Sequence, residues 1–517
     1  MSEQVNNSKN QKGATAREVC IHIARELSTL VKHTLGPNGL DNMLVDTAGD
    51  SVITNDGATI IQQSAIDHAV AKIIMNVAKT QDEQCFDGTT TSLILTGEMM
   101  EQGAELLKEK VHPTKIALGY MMAALKAEEL LLDMGLDVDA EMLNLAAQTA
   151  MTGKSAESDK EHLANICVEV AMAAPIEDIT IVQRPNGKVQ ESTAIAGLLI
   201  DGEKLDHAMP DAVEDPKIGL IAADIDIPDY AQQLNVQLTD NSGVKEFIDS
   251  RNAQLVEIGE RLKETGMNVL FCSREVHPAI IEHLAANNIY AVRRVRRSDM
   301  EALSKSTNAR IVMNIDTFSS KDLGSAALLE EVSIGERPMI KLTGTPNKST
   351  VSVLVRAPTD HVVAEIKRAF DDAIGVVSIA YEDKSVLPGG GAPYMELSTK
   401  LKEFASTVGG REQMAVEAFA NALEIIPKTL AENSGLDPID AMIALRKAHT
   451  EEDGWKYGVN VNDGSATDML KEKVIEPKRV VAQAIRSAAD ISAQLMRIQL
   501  ITTAKPVSEI GDDDFQF

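Results

Sequence analysis

Between Ile179 and Val355 the sequence changes character, and this change limits the possible folds more than any other feature of the chain. Short β-rich runs gather there: Ile179-Thr180-Ile181-Val182, Lys217 to Ala222, Asn268 to Cys272, Tyr290-Ala291-Val292 and Arg310 to Met313. Helix-periodic sequence alternates with them and then fills both flanks. An α/β domain inserted between helical blocks is the expected result. Runs at Met339 to Leu342 and Thr350 to Val355 bring the chain out of the insertion. Within it, a segment from Tyr230 to about Thr265 spaces Val244, Phe247, Ile248, Leu255, Ile258 and Leu262 along one helical stripe. That stripe reads either as a helix packed on its own domain or as a protruding element that covers a cavity or meets a partner. At 517 residues the chain is too long for one core, and about three domains are expected.

The N-terminal flank opens with a helix from about Thr15 to Thr34, which ends at Leu35-Gly36-Pro37-Asn38-Gly39, a sequence that terminates helices. Met43 to Asp46 and Ser51 to Thr54 read as a hairpin joined through Gly49-Asp50, followed by Asn55-Asp56-Gly57 at the start of another helix. Aromatic residues make up only 3% of the chain, so these cores must be built from Ala, Val, Ile, Leu and the 21 methionines. The C-terminal flank carries Asp371-Asp372 on a helix, then Pro388-Gly389-Gly390-Gly391-Ala392, a short hairpin near 458–464, and a long helix from Arg479 to about Arg497.

The chemistry centres on Asp87-Gly88-Thr89-Thr90-Thr91-Ser92, just ahead of an apolar helical run. An aspartate supplies a hard oxygen suited to Mg²⁺. A glycine lets the backbone approach a phosphate, and first-turn N–H groups with the helix dipole attract an anion. Taken alone, the hexapeptide favours a plainer reading, a capping aspartate with threonines on the first turn. The Asp56 loop, the Asp371-Asp372 pair and the glycine triplet reverse that preference. Met151-Thr152-Gly153-Lys154-Ser155 is not a Walker motif, because the upstream glycine and the preceding strand are missing. On local sequence alone Lys154 reads first as a surface lysine and second as a group that reaches a phosphate from a neighbouring domain.

A formal net charge of −28 disfavours general nucleic-acid binding. Four dispersed cysteines, Cys20, Cys85, Cys167 and Cys272, match no metal or disulfide spacing, and no apolar run would span a bilayer. A cytoplasmic protein with reduced thiols is expected. The acidic last residues, Gly511 to Phe517, are expected to lie outside any core.

Taken in order, these motifs resemble the group II chaperonins, the archaeal thermosome and its eukaryotic cytosolic relatives. The match is carried by Leu35-Gly36-Pro37 with Met43 to Asp46, Thr54 to Thr59, Asp87 to Thr91, Thr152-Gly153-Lys154, Ala291 to Val295, Asp372-Ala373 and Pro388 to Ala392. It runs from about Ala14 to Lys505. The resemblance implies a multidomain α and α/β fold with a helical equatorial domain, a small intermediate domain and an α/β apical domain. The equatorial domain would comprise residues 1–136 and 389–517, the intermediate domain 137–205 and 358–388, and the apical domain 206–357 with a helical protrusion at about 236–265. It also implies an ATP-dependent chaperone that encloses unfolded proteins in a double ring of like subunits, with no nucleic acid or membrane partner. ATP and Mg²⁺ would be its cofactors. Carried over by position, Asp87 would bind Mg²⁺, and Leu35, Gly36, Pro37, Gly88, Thr89, Thr90 and Thr91 would hold the phosphates. Lys154 would sense the γ phosphate, Gly390, Gly391 and Glu476 would line the nucleoside, and Asp56 and Asp372 would orient and activate water.

Phe86 stands where the family carries a glycine ahead of the aspartate, and Asn38 and Asn42 replace usual lysines. A bulky ring in strained backbone beside the metal loop is therefore expected. These departures support a second reading, a structural or regulatory subunit with weak or no hydrolysis.

Overall fold

The computed structural model describes residues 10–45, 51–64, 66, 68–154, 156–227, 241–335, 337–347 and 350–502. The chain divides into two compact units: Met1–Ala164 with Ala369–Phe517, and Asn165–Arg368. The first is built by both ends of the chain. Its helices include Ala14–Lys32, Ala69–Cys85, Thr89–Lys108, Pro113–Met134, Arg411–Leu423 and Lys478–Met496.

Thr89–Lys108 is the central helix of this unit, packed against the five others just named. Its first half is buried nearly all round through Ser92, Leu93, Ile94, Leu95, Thr96, Met99 and Met100. A buried hydroxyl needs a partner, and both here find one in their own helix: Ser92 Oγ donates to the Thr89 carbonyl at 2.8 Å and Thr96 Oγ1 to the Ser92 carbonyl at 2.7 Å. Helices approach closely where side chains are small, as the scarcity of aromatics demands. A Cβ placed on Gly97 would lie 2.4 Å from Ser28 Cβ on Ala14–Lys32. The few rings are used at depth, with Tyr120 and Phe419 meeting edge to face at 5.7 Å. This packing makes the start of Thr89–Lys108 a rigid platform.

Four small sheets finish the unit, one of them the antiparallel pair Asn10–Lys12 and Leu500–Thr502 near the two ends of the described chain, and the other three bear on the site. Asn42–Val45 pairs antiparallel with Ser51–Thr54, as the sequence suggests, although the connecting Gly49-Asp50 lies outside the described residues. The hairpin near 458–464 is wider than expected, its strands being Tyr457–Val459 and Ala466–Asp468. The third sheet has no clear sequence signal. Ser385–Pro388 pairs antiparallel with both Ile475–Pro477 and Leu136–Asp137, and so sets the glycine triplet beside Glu476.

The second unit is the expected α/β insertion. Tyr290–Val292, Val269–Cys272, Lys217–Ile221 and Ile311–Val312 form a parallel sheet, with Gly324–Ser325 antiparallel to Lys217–Ile221. Its strands are buried on both faces, which is why they read as continuous apolar runs. Two sheets that the sequence only hinted at accompany it. One is the antiparallel set Leu198–Asp201, Arg337–Thr343, Leu328–Ile334 and Ala212–Glu214; the other places Val351–Arg356 between Ile179–Arg184 and Thr193–Ala196. The helix Asn241–Glu264 realises the striped segment. Leu255 and Leu262 are buried in this unit's own core and Ile258 packs against it, which is the first of the two readings for that half. Residues 236–240, the Val244, Phe247 and Ile248 side chains, and the acidic C-terminal segment lie outside what is described.

Candidate active site

The helix Ala69–Cys85 stops at Phe86, which adopts the left-handed conformation (φ 57°, ψ −2°) and donates its N–H to the Asp82 carbonyl at 2.9 Å. This is a C-terminal cap that usually employs glycine. In a side-chain-bearing residue it costs about 1–2 kcal/mol. Complete burial of an aromatic side chain is worth about 1.5–3 kcal/mol, and the half-buried Phe86 ring recovers part of that against Cys85, Ile379 and Val480. The expected strain is present and largely offset.

Asp87 and Gly88 follow, and Gly88 is itself left-handed (φ 82°) at the N-cap of Thr89–Lys108. That helix has no side-chain cap. The Asp87 carboxylate instead accepts the Gly88 N–H at 2.7 Å, so the capping-aspartate reading is not what the chain adopts. Ser92 N–H makes the first helical bond, to the Gly88 carbonyl at 2.9 Å, and the N–H groups of Thr89, Thr90 and Thr91 precede the ladder. Behind the loop, the fully buried Gln81 donates Nε2 to the carbonyls of Asp87 (2.9 Å) and Val480 (3.2 Å). A Cβ on Gly88 would meet both Gln81 and Val480 at 2.9 Å, so only glycine fits this approach.

Two further acids complete the site. Asp56 caps the short helix Gly57–Gln63, accepting from the N–H groups of Ala58 (3.2 Å) and Thr59 (2.9 Å) and from the Thr59 hydroxyl (2.6 Å). Its neighbour Gly57 lies against Thr90, whose Oγ1 would be 2.6 Å from an added Cβ. Asp372, on the helix Asp360–Asp383, has the opposite character. Its Oδ2 accepts a hydrogen bond from Lys154 Nζ at 2.5 Å. Burial raises its pKa to about 6; Lys154 pulls it down, and Asp87 and Asp56 push it up again. The Lys154 ammonium is stabilised in return. Burial acts to lower its pKa, but attraction to Asp372, Asp87 and Asp56 leaves it raised. The Lys154 turn is tied down by Asn55 Nδ2, which donates to the Gly153 carbonyl at 2.8 Å, and Gly153 stacks on Gly36-Pro37.

On the opposite wall the glycine triplet is zipped to the C-terminal hairpin. Gly389 N–H donates to the Val474 carbonyl at 2.8 Å, and Val459 N–H donates to the Gly390 carbonyl at 2.9 Å. Glu476, on the adjoining strand, is pushed up to about 8, first by burial and then by the Asp87 charge, so it carries its proton at neutral pH. A protonated carboxyl can donate a hydrogen bond.

All fourteen expected site residues line one cavity of about 560 Å³. They are Leu35, Gly36, Pro37, Asp56, Asp87, Gly88, Thr89, Thr90, Thr91, Lys154, Asp372, Gly390, Gly391 and Glu476. The volume falls in the usual range for small-molecule sites. The same wall includes Asp82, Tyr394, Asn460 and Asn462, which sequence reasoning did not single out. Asp82 could have been found one turn before the Phe86 cap; the asparagines, in a loop between short strands, gave no signal. The Asp82 pKa is raised by burial and by Asp56, Glu83 and Asp87 against the pull of Lys154. Asp56, Asp82, Asp87, Asp372, Glu472 and Glu476 thus line the cavity against Lys154, Lys160 and Lys473, and Lys154 is already paired with Asp372. That excess of negative charge fits a divalent cation. Among the described residues no group of three or more acidic, histidine or cysteine ligands could hold a metal alone. Such a site suits Mg²⁺ held by one carboxylate together with phosphates and water.

The sequence matches the TCP-1/cpn60 chaperonin family over residues 27–506. A thermosome subunit of Methanocaldococcus jannaschii is 41% identical over 529 aligned positions, covering 98% of each chain. A thermosome subunit of Methanopyrus kandleri is 43% identical, covering 96% of this chain and 93% of its own length. Among solved structures, the open-state monomer of a group II chaperonin from Methanococcoides burtonii superposes with a TM-score of 0.65 at 37% identity, over 80% of this chain and all of that one.

Proposed function

The chain belongs to the TCP-1/cpn60 chaperonin family, an ATP-dependent chaperonin subunit that acts in protein folding, and from that premise we propose that the cavity beside Asp87 is its Mg²⁺–ATP site. One observation carries the proposal: fourteen residues drawn from seven separate stretches of sequence line a single cavity. We further propose the equatorial (1–136, 389–517), intermediate (137–205, 358–388) and apical (206–357) segments, with like subunits assembled in stacked rings around unfolded clients. Subunits named alpha and beta occur side by side in Archaeoglobus fulgidus, which supports assembly with like chains.

The division of labour follows from the geometry. The unladdered N–H groups of Thr89, Thr90 and Thr91 and the helix dipole receive phosphate oxygens, and Gly88 lets the backbone reach them. Asp87 would hold the metal, which when bound would neutralise phosphate charge. The Asp56 carboxylate, already accepting three hydrogen bonds, is suited to orienting water rather than taking its proton. Asp372 is the proton acceptor: its pKa near 6 leaves it ionised at neutral pH yet more basic than an exposed aspartate. Lys154 holds Asp372 in place and reaches toward the terminal phosphate. Glu476, carrying a proton, offers a donor to the nucleoside. The purified assembly should hydrolyse ATP only with Mg²⁺, raise the yield of a denatured client in an ATP-dependent refolding assay, and show rings by electron microscopy. An assembly that refolds clients equally well without nucleotide would refute the proposal.

A further inference from the structure

Two residues that look unfavourable one at a time make sense together. Gly375 lies in the middle of Asp360–Asp383, where glycine is a poor helix former. Phe86 is left-handed where glycine would be at ease. A Cβ on Gly375 would lie 2.1 Å from Phe86 Cγ and 2.4 Å from its Cβ and Cδ2, so the ring rests directly on the helix backbone at Gly375. Ile379, one turn further along that helix, and Val480 pack against the same ring. Phe86 immediately precedes Asp87, and Gly375 follows Asp372 by three residues, nearly on the same helical face. The contact is therefore a packed link between the metal-loop aspartate and the aspartate that accepts the proton.

We propose that the Phe86 ring seated on Gly375 is a positioning device that fixes Asp372 relative to Asp87, so that hydrolysis depends on it while nucleotide binding does not. This inference rests on the Mg²⁺–ATP reading. It turns the departure at position 86 from a defect into one half of a size-matched pair. An added methyl group cannot be absorbed here, because the atoms that a new Cβ would strike belong to the root of the ring rather than to a flexible end. The link also has no slack on the loop side, since the Phe86 N–H and the Asp87 carbonyl are both hydrogen-bonded to Ala69–Cys85.

The test uses the full-length assembly with Gly375→Ala, Phe86→Gly and the double variant. Steady-state ATP hydrolysis gives kcat and KM, titration with ADP and Mg²⁺ gives affinity without turnover, and unfolding midpoints give a second double-variant cycle. We expect Gly375→Ala to lower kcat by roughly tenfold or more, the scale on which misplaced catalytic groups act, with KM and ADP affinity changed by less than about threefold. Phe86→Gly should also lose turnover, and Gly375→Ala combined with Phe86→Gly should be faster than Gly375→Ala alone. The midpoints should be non-additive in the same sense. A Gly375→Ala protein with wild-type kcat, losses that simply multiply, or a Phe86→Gly protein faster than wild type would each overturn the positioning role. Wild-type protein that neither binds ADP nor hydrolyses ATP would instead overturn the nucleotide reading, and the positioning role would fall with it.

Discussion

Replacing Lys154 with methionine removes the cation that holds Asp372 ionised, and the consequence can be read as a shift along the pH axis. Asp372 has a pKa of about 6 because burial raises it while Lys154, hydrogen-bonded at 2.5 Å, draws it down. A hydrogen bond between charged groups is worth about 1.5–3 kcal/mol, and one pKa unit corresponds to about 1.4 kcal/mol. Loss of the pair should therefore move Asp372 upward by about one to two units, with Asp87 and Asp56 still pushing the same way. A general base works only when deprotonated, so kcat/KM falls about tenfold per unit below its pKa. The wild-type acid limb is expected near pH 6 and that of Lys154→Met between about pH 7 and 8. The assay is phosphate release at subsaturating ATP from pH 5 to 9. Any phosphate contact that Lys154 also makes lowers the plateau without moving the limb, so the position of the limb is the diagnostic quantity. A limb that stays near pH 6, or moves to lower pH, would refute the assignment of Asp372 as the base.

Two further outcomes follow from the site's walls. Asp87→Asn should raise the Mg²⁺ concentration needed for half-maximal hydrolysis by roughly tenfold or more, since charged ligand oxygens set affinity for hard cations; a Mg²⁺ titration at fixed ATP checks this. Gly391→Ala places a Cβ within 2.9 Å of the Pro427 ring at a residue with φ 79°. The strain of about 1–2 kcal/mol and the overpacking of about 1–3 kcal/mol should lower the unfolding midpoint and weaken ADP binding together.

Much of the first unit was legible because its signals are local. The helix ending at Gly36-Pro37 and the strand pair at 42–54 rest on periodicity and turn chemistry, which neighbouring residues decide. The insertion was visible from the abrupt onset of buried strands, whereas Leu198–Asp201 pairs with Arg337–Thr343, and Ala212–Glu214 with Leu328–Ile334, over long sequence distances that no local pattern encodes. The sheet joining Ser385–Pro388 to Ile475–Pro477 was hidden for the same reason, and with it the physical cause of the neighbourhood of Glu476. At the site, residue types were readable but their states were not. Asp56 and Asp372 are the same residue type, yet one is held by a helix cap and the other lies half-buried against a lysine. Phe86 shows the limit most clearly. Its left-handed backbone could be expected from its position, but the glycine that accepts its ring lies 289 residues away.

Asp372→Ala, compared with the wild type for ATP hydrolysis and ADP affinity, separates proton acceptance from nucleotide binding. ADP affinity should stay within about threefold while turnover falls by about 10²–10⁴, the contribution of a positioned general base. Equal turnover in the two proteins, or loss of nucleotide binding in Asp372→Ala, would contradict the assignment of Asp372 as the proton acceptor.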